Sequence, residues 1–575
     1  MRKKLKAMAM VLLAVTMAVS TGGCRNNPPV GLGGEVEELD STRTQLYISN
    51  FNGGYGNEWL YKAKARFEQE FSTTSFEDGK TGVQIYIDDN KEQGHTVLTN
   101  IENSRNEVFF TQGVNYYEFV NAGVIADITD IVTEKLTKYG EGKSIEDKYY
   151  DANKEYLNVN GKYYAIPYCT GSFGIIYDKD LFDQKGFYFA ADGNVNAATT
   201  KYNTALNNGN NGFIYEKTDV KSNGPDGKPN TYDDGLPATY DEYFTLCEYI
   251  SNAGCIPTIW TGLYRTDYML NTLRAFARDF MGDELNLFYT LNGTAKRLVS
   301  SIDDTGKVTF AAPKTIDSTN GYELYKSAGL YYAAEFYQRL TSNTKYYHEK
   351  GFNQTHSHLD AQADFLFSRP EGNEPIAMMF EGTYWANESK QVFEDIAAQY
   401  GDEYSAKNRN FGIMPIPKVS TKYVGEPYTV LGDGGSFGFV NANCAPNKLV
   451  LAKTFLQFVN TDVSMREYTV TTNTLKGMKY ELQPSDLEQM TGFGKLLWES
   501  QGTQNVINPY SKHPVFLNNE MKLRDIMFDS KVGTTVYNNP VDVLKGTSAD
   551  KISAKDYFWG ISKNIDQNWW SSLNA

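Results

Sequence analysis

Glu381, followed directly by Gly382, and Asp433, in the turn Gly432-Asp433-Gly434-Gly435-Ser436, are carboxylates placed in turn-forming segments. Two such groups flanking a glycosidic bond could act as acid and base, so a surface glycoside hydrolase is one reading of this chain. The sequence does not encode their separation, and the other recognised catalytic signatures are missing. There is no Gly-x-Ser-x-Gly nucleophile turn, no His-Glu-x-x-His metal helix and no Gly-x-x-x-x-Gly-Lys-Ser/Thr phosphate loop. Of the five histidines only His356 and His358 are close in sequence. Alternate residues share a face only in an extended strand, so this pair reads as a surface loop rather than a metal site.

A second oxygen-rich segment lies between Asn223 and Gly235. Asn223, Asp226, Asp233 and Asp234 concentrate hard oxygen ligands around glycines, as a calcium loop does, but off the EF-hand spacing. A structural calcium and a solvated Asx-rich turn are both open readings. No cofactor is otherwise required. Cys169, Cys247, Cys255 and Cys444 are scattered, which fits buried thiols better than a disulfide framework or zinc cluster, although a Cys247–Cys255 pair is conceivable.

The elements that must position these groups alternate from Thr44 onward. Leu46, Tyr47 and Ile48 make a short strand, then the polar loop Asn50 to Gly56 leads into a helix with Leu60, Ala63, Phe67 and Phe71 on one face. Strands at Val83 to Ile87 and Val108 to Phe110 follow, separated by helix. Such alternation implies an open, largely parallel α/β sheet, in which ligands sit beyond the carboxyl ends of the strands. That rule points to Asn50, Asn52 and Tyr55, and to Gln112.

The N-terminus carries its own message. Arg2, Lys3, Lys4 and Lys6 precede an apolar run from Ala7 to Val19, too short to span a bilayer, which reads as an export signal. It ends Ser20-Thr21-Gly22-Gly23-Cys24 and resembles the lipobox of bacterial lipoproteins, with Thr21 where Leu is usual. The resemblance implies lipidation of Cys24, a signal peptide over 1–23 and attachment to the outer face of the bacterial cytoplasmic membrane. Residues 24–42, rich in Asn, Pro, Gly and Glu, read as a flexible tether.

Four motifs in order carry a wider resemblance. Tyr163 to Tyr168 followed by Gly174 to Phe182 is similar to the lobe-crossing segment of carbohydrate-binding receptors. Pro237-Ala238-Thr239-Tyr240-Asp241-Glu242 resembles their Pro-x-Thr-x-x-Glu helix start, Pro375 to Asn387 their Ala-Met strand with its Gly-aromatic turn, and Ala445 to Asn460 their Pro-Asn helix. Together they resemble extracellular solute-binding proteins of family 1, the maltose-binding protein superfamily, which serve carbohydrate ABC importers.

That resemblance implies an α/β, two-lobed periplasmic-binding-protein-like fold, each lobe an open sheet flanked by helices, with the ligand cleft between. Lobe 1 is expected over 43–166 with 429–480, and lobe 2 over 167–428 with 481–575, including an insertion at 183–236. It also implies a monomeric, lipid-anchored receptor that touches the membrane only through its anchor and delivers an oligosaccharide to membrane permease subunits. A receptor for a peptide or another non-sugar solute on the same scaffold is the remaining alternative.

Aromatic residues make up 14% of the chain, including 41 tyrosines, and their flat faces with polar rims suit pyranose rings. At the turns that supply stacking aromatics in the resembling family stand Trp260 and Tyr264, and Tyr384 and Trp385. Asn50, Asn52, Gln112, Glu381 and Asp433 are the expected polar partners.

Charge bounds the partners further. The 575 residues carry 55 Lys+Arg against 70 Asp+Glu, a net −15 that becomes more negative once a basic leader is removed. That balance argues against nucleic acid as a partner and favours a neutral ligand. The length indicates two or three lobes or domains.

Overall fold

An interior strand of the first sheet, β1 (Thr44–Phe51), is buried along nearly its whole length, as a strand covered on both faces must be. The computed structural model describes residues 38–573 apart from 192–195, 203–211, 371–373, 433–434, 508, 510, 512 and 524–525. The chain divides into units Met1–Ser41 and Thr42–Ala575. The export signal, Cys24 and Asp433 lie outside the described residues.

In the second unit β1 pairs in parallel with β2 (Val83–Asn90) and β3 (Val108–Thr111). Two antiparallel strands then extend this sheet: Phe437–Val440 pairs with β3, and β4 (Ala165–Pro167) pairs with Phe437–Val440. The sheet is therefore parallel in only one half, because late chain returns to it. Helix α1 (Glu58–Glu70) covers one face with Trp59, Leu60, Ala63 and Phe67, and Phe67 meets Phe455 and Phe458 edge-on at 5.1 and 5.2 Å.

A second, four-stranded sheet runs in the order Phe411–Met414, β5 (Phe173–Asp178), Ile376–Gly382, β6 (Ile256–Ile259). β5 is antiparallel to both its neighbours, while Ile376–Gly382 and β6 are parallel. The helix Tyr240–Asn252 starts where the Pro-x-Thr-x-x-Glu pattern places it. Thr239 Oγ1 accepts from the Glu242 N–H at 3.3 Å, and the Glu242 carboxylate reaches back to the Ala238 N–H at 2.5 Å. From the segment 183–236, Phe187, Phe189, Phe213 and Leu236 are buried in the core beside this second sheet.

Three stretches of chain connect the two sides: residues 168–172, the link from Thr429–Leu431 to Phe437–Val440, and the segment following Asp462–Thr472. They are tied to one another. The Tyr168 N–H donates to the Ser436 carbonyl at 3.2 Å, and the Thr170 N–H to the Leu475 carbonyl at 3.1 Å. Near the C-terminus the helix Ala554–Asn564 buries Tyr557, Phe558 and Ile561, and Trp570, on the following helix Gln567–Ser571, is held by its Nε1–H on the Ser318 carbonyl at 2.8 Å. Cys169, Cys247, Cys255 and Cys444 are all free thiols, so Cys247 and Cys255 do not pair. No helix among the described residues is long and apolar enough to cross a membrane.

Candidate functional site

A cavity of about 650 Å³ opens between the two sheets. Its first wall comes from the segment after β3 and from Tyr156, its floor from the crossing residues Gly171 and Ser172 with Phe173 at the start of β5, and its second wall from the helix Arg265–Met281. On that helix Asn271, Arg274, Ala275 and Arg278 face the cavity at three- and four-residue spacing, while Leu273, Phe276, Ala277 and Phe280 are buried in the second core. One helix thus anchors itself by one stripe and presents amide and guanidinium groups on the other. The Arg274 Nη1 donates to the Asn271 Oδ1 at 3.3 Å, which orients both side chains.

Aromatic faces complete the cavity. Tyr117 and Tyr156 pack edge to face at 5.1 Å, and the Tyr117 hydroxyl donates to the Tyr156 carbonyl at 2.8 Å. Tyr289, Tyr325 and Tyr428 line the opposite side. Apolar rings beside hydroxyl, amide and guanidinium donors give the mixed surface that a polyhydroxylated ring needs.

Next to the cavity lies a polar rim, and several residues singled out from the sequence meet there. Glu381 is the last residue but one of the strand Ile376–Gly382 and is 1% exposed. Its Oε1 accepts from the Gly382 N–H at 2.8 Å and its Oε2 from Gln362 Nε2 at 3.2 Å, and the same Nε2 donates to Glu388 Oε2 at 2.8 Å. Burial raises both carboxyl groups: Glu381 well above the carboxylate range, with Glu388 adding to the effect, and Glu388 to about 7. The Tyr268 hydroxyl, from the helix Arg265–Met281, also bonds Glu381.

Tyr384 belongs to this rim. Its ring lies edge-on to Tyr55 with centroids 5.8 Å apart, against the backbone of Gly54 and Gly382. The Tyr55 hydroxyl in turn lies against Gly171. Asn387 Nδ2 donates to the Gly54 carbonyl at 2.9 Å, and Lys390 pairs with Glu58 at 2.5 Å. These contacts join the loop after β1 to the turn after Ile376–Gly382. Asn50 is 1% exposed, and its Nδ2 donates to Asp89 Oδ1 at 3.3 Å. Asn52 is half-buried, with its carbonyl accepting from Lys91. Gln112 is half-buried beside Cys169, at 3.9 Å from its Sγ. Tyr264 is exposed, with its ring 5.5 Å from that of His358.

Two expectations need correction. Trp260 is fully buried against Tyr347, Phe352 and Phe380, and Trp385 against Phe365, Phe393, Phe411 and Phe493, so neither indole faces the cavity. The turns stand beside the rim, but each tryptophan points inward, where its large apolar area is removed from water. None of Asn50, Asn52, Tyr55, Gln112, Tyr264, Glu381 and Tyr384 lines the large cavity itself. The residues that do, on the helix Arg265–Met281 above all, were readable only as a polar stripe at helical spacing opposite an apolar one.

The loop from Asn223 to Gly235 is held by its own donors. Asp233 Oδ2 accepts from the Asp226 N–H at 2.9 Å, Asp234 Oδ2 from the Asn230 N–H at 2.8 Å, and the Asn223 amide donates to the Gly227 carbonyl at 3.2 Å. Among the described residues no group of three or more His, Cys, Asp or Glu side chains is arranged to hold a metal ion.

No family model matches the chain, and no curated protein does. Solved structures do. A chitin oligosaccharide binding protein aligns with a TM-score of 0.51 at 14% identity, covering 92% of this chain and 99% of that one. RafE in complex with raffinose aligns at 0.51 and 13%, covering 92% and 100%. Maltose-bound MalE3 of T. maritima aligns at 0.51 and 15%, covering 91% and 99%. At such identities the likeness speaks for the fold alone: this chain has the two-lobed α/β fold of these binding proteins.

Proposed function

We propose that this chain is a lipid-anchored extracellular receptor that binds an oligosaccharide between its two lobes and hands it to the permease of an ABC importer. The observation that carries this reading is the cavity of about 650 Å³ between the sheets, walled by tyrosine rings and by Asn271 and Arg274. Its size falls within the range of small-molecule sites, and it draws side chains from both sides of the crossing segments, so closure of one lobe on the other would complete it. The solved structures that share the fold include proteins named for chitin oligosaccharide, raffinose and maltose. Cys24 supplies the anchor by its lipobox-like setting, and residues 24–42 supply the tether.

Ligand must favour the closed arrangement to shift its population, and selectivity then follows from the contacts completed on closing. Arg274 and Arg278 place two guanidiniums on the cavity wall, so a panel of ligands has to include uronate-bearing sugars beside neutral ones. The test is thermal stability of the chain without its lipid against oligosaccharides of several backbones, acidic sugars and short peptides, each with and without calcium. A rise in midpoint with one sugar backbone supports the receptor reading, since a ligand that binds only the native state stabilises it. Stabilisation by peptides alone would replace the sugar by another solute. Steady release of reducing ends from an oligosaccharide would replace the receptor by a hydrolase.

A further inference from the structure

Lys476 stands in one of the three segments that cross between the lobes, immediately after Leu475, whose carbonyl accepts the Thr170 N–H. Its own N–H donates to the Tyr480 hydroxyl at 3.1 Å, and that hydroxyl bonds Thr469 at 2.6 Å, which fixes the backbone. The next residue, Gly477, is packed so closely that a Cβ there would meet Pro167 at 3.1 Å and the Cys169 carbonyl at 3.4 Å. The side chain turns inward from this tight crossing. Lys476 is 1% exposed, and its Nζ lies 5.2 Å from the Trp59 ring centroid and 4.8 Å from that of Tyr468.

An ammonium brings three N–H donors, yet Nζ has no hydrogen-bond partner among the described residues. Ring faces attract a cation but do not replace the acceptors it loses on leaving water. The neutral amine fits this place, and the protonated one is under-satisfied there. The groups beside it are the Cys169 thiol from the first crossing, the Trp59 and Tyr468 rings, with Tyr168 stacked behind Trp59, and the Tyr480 hydroxyl on its backbone N–H. Burial keeps Tyr168 and Tyr480 protonated through neutral pH. Charges on the flanking helices are engaged with each other, Lys62 with Glu58 at 3.1 Å and Arg66 with Glu467 at 2.9 Å.

We propose that Lys476 is a proton-sensitive element of the hinge: its neutral amine locks the crossing segment into the first lobe, and its protonation loosens that segment and favours the open arrangement. Burial, only partly offset by Cys169, draws this amine down to about 7, so the change falls at neutral pH. Because water reaches Nζ only if the segment around Lys476 shifts, proton uptake and movement of the crossing are coupled. The inference rests on the two-lobed receptor reading, but it needs no ligand for its test.

The experiment is a pH titration of the ligand-free chain from pH 9 to 5, following lysine 13Cε shifts by NMR and the distance between one fluorophore on each lobe. The Lys476 resonance is expected to titrate near 7, and the open-to-closed ratio to rise roughly threefold or more between pH 8 and pH 6. Lys476→Met should abolish that rise. Since Glu388 also titrates near 7, both chains are compared in a Glu388→Gln background. A Lys476 resonance that stays charged above pH 9 overturns the proposal, as does a lobe distance that is flat across neutral pH or a Lys476→Met variant that keeps the transition. Should Lys476→Met not fold, the titration and distance measurements on the Glu388→Gln chain decide alone. Failure of every sugar to bind would leave these readouts intact and so reflect on the ligand instead.

Discussion

Gly54 lies flat against the ring of Tyr384, so closely that a Cβ on Gly54 would stand 2.4 Å from Tyr384 Cδ2. The two residues come from different lobes: Gly54 from the loop after β1, and Tyr384 from the turn that ends Ile376–Gly382. Gly54→Ala therefore meets its obstacle at the contact between lobes. The expected outcome is a chain shifted toward the open arrangement at a cost to closure of about 1–3 kcal/mol, the usual scale for overpacking. Small-angle scattering should show a larger radius of gyration for Gly54→Ala, and Gly54→Ala with Tyr384→Gly, which also removes the Tyr384 Cβ that would stand 2.9 Å away, should restore the original value. An unchanged radius in the single variant would mean that the loop gives way without moving the lobe.

Trp260 and Trp385 behave as core. Each is enclosed by at least three aromatic side chains, so Trp385→Ala or Trp260→Ala is expected to cost about 3–5 kcal/mol of stability. Urea unfolding followed by aromatic fluorescence checks this. Full stability in either variant together with lost ligand binding would return that indole to the site.

The Glu381–Glu388 pair gives stability a pH dependence of definite sign. Glu388 is raised in the folded chain from 4.5 to about 7, so the folded state binds more protons than the unfolded state between these values. Stability is then unpenalised below about 4.5, declines as pH rises through the interval and carries the full cost above about 7, each tenfold change in proton affinity being worth about 1.4 kcal/mol. Glu388→Gln should be more stable than the parent at pH 8 and indistinguishable from it near pH 4.5. Parallel stability curves for the two chains across that range would remove Glu388 as the source.

The elements were legible where pattern and packing agree. Leu60, Ala63 and Phe67 fall on one face of α1, and the Thr239–Glu242 pattern becomes a real helix start, because both are local consequences of spacing. The antiparallel return of Phe437–Val440 beside β3 was not legible, since a long-range pairing leaves no local trace. The site divides in the same way. Loop residues such as Glu381, Tyr384 and Tyr55 did converge on one rim, but an aromatic at a turn carries no sign of whether it points outward like Tyr264 or inward like Trp260. The cavity-facing groups lie mid-helix, where Asn271, Arg274 and Arg278 read as an ordinary solvated stripe until the other lobe is seen to stand opposite.

That placement makes the helix Arg265–Met281 the sharpest test of the binding site. Asn271 and Arg274 are joined by a hydrogen bond and face the cavity, whereas the apolar stripe behind them secures the helix to the second core. Asn271→Ala and Tyr156→Ala should each weaken ligand binding by about tenfold, corresponding to about 1.4 kcal/mol for a lost hydrogen bond or ring contact. Arg274→Gln keeps an amide in place of the guanidinium. It should weaken an acidic sugar far more than a neutral one, because the charge-assisted hydrogen bond is the stronger of the two. Calorimetric titration with matched neutral and uronate-bearing oligosaccharides reads both effects in one series. If all three variants bind as the parent does, the ligand is held at the polar rim around Glu381 and Tyr384, and the cavity between the sheets is not its seat.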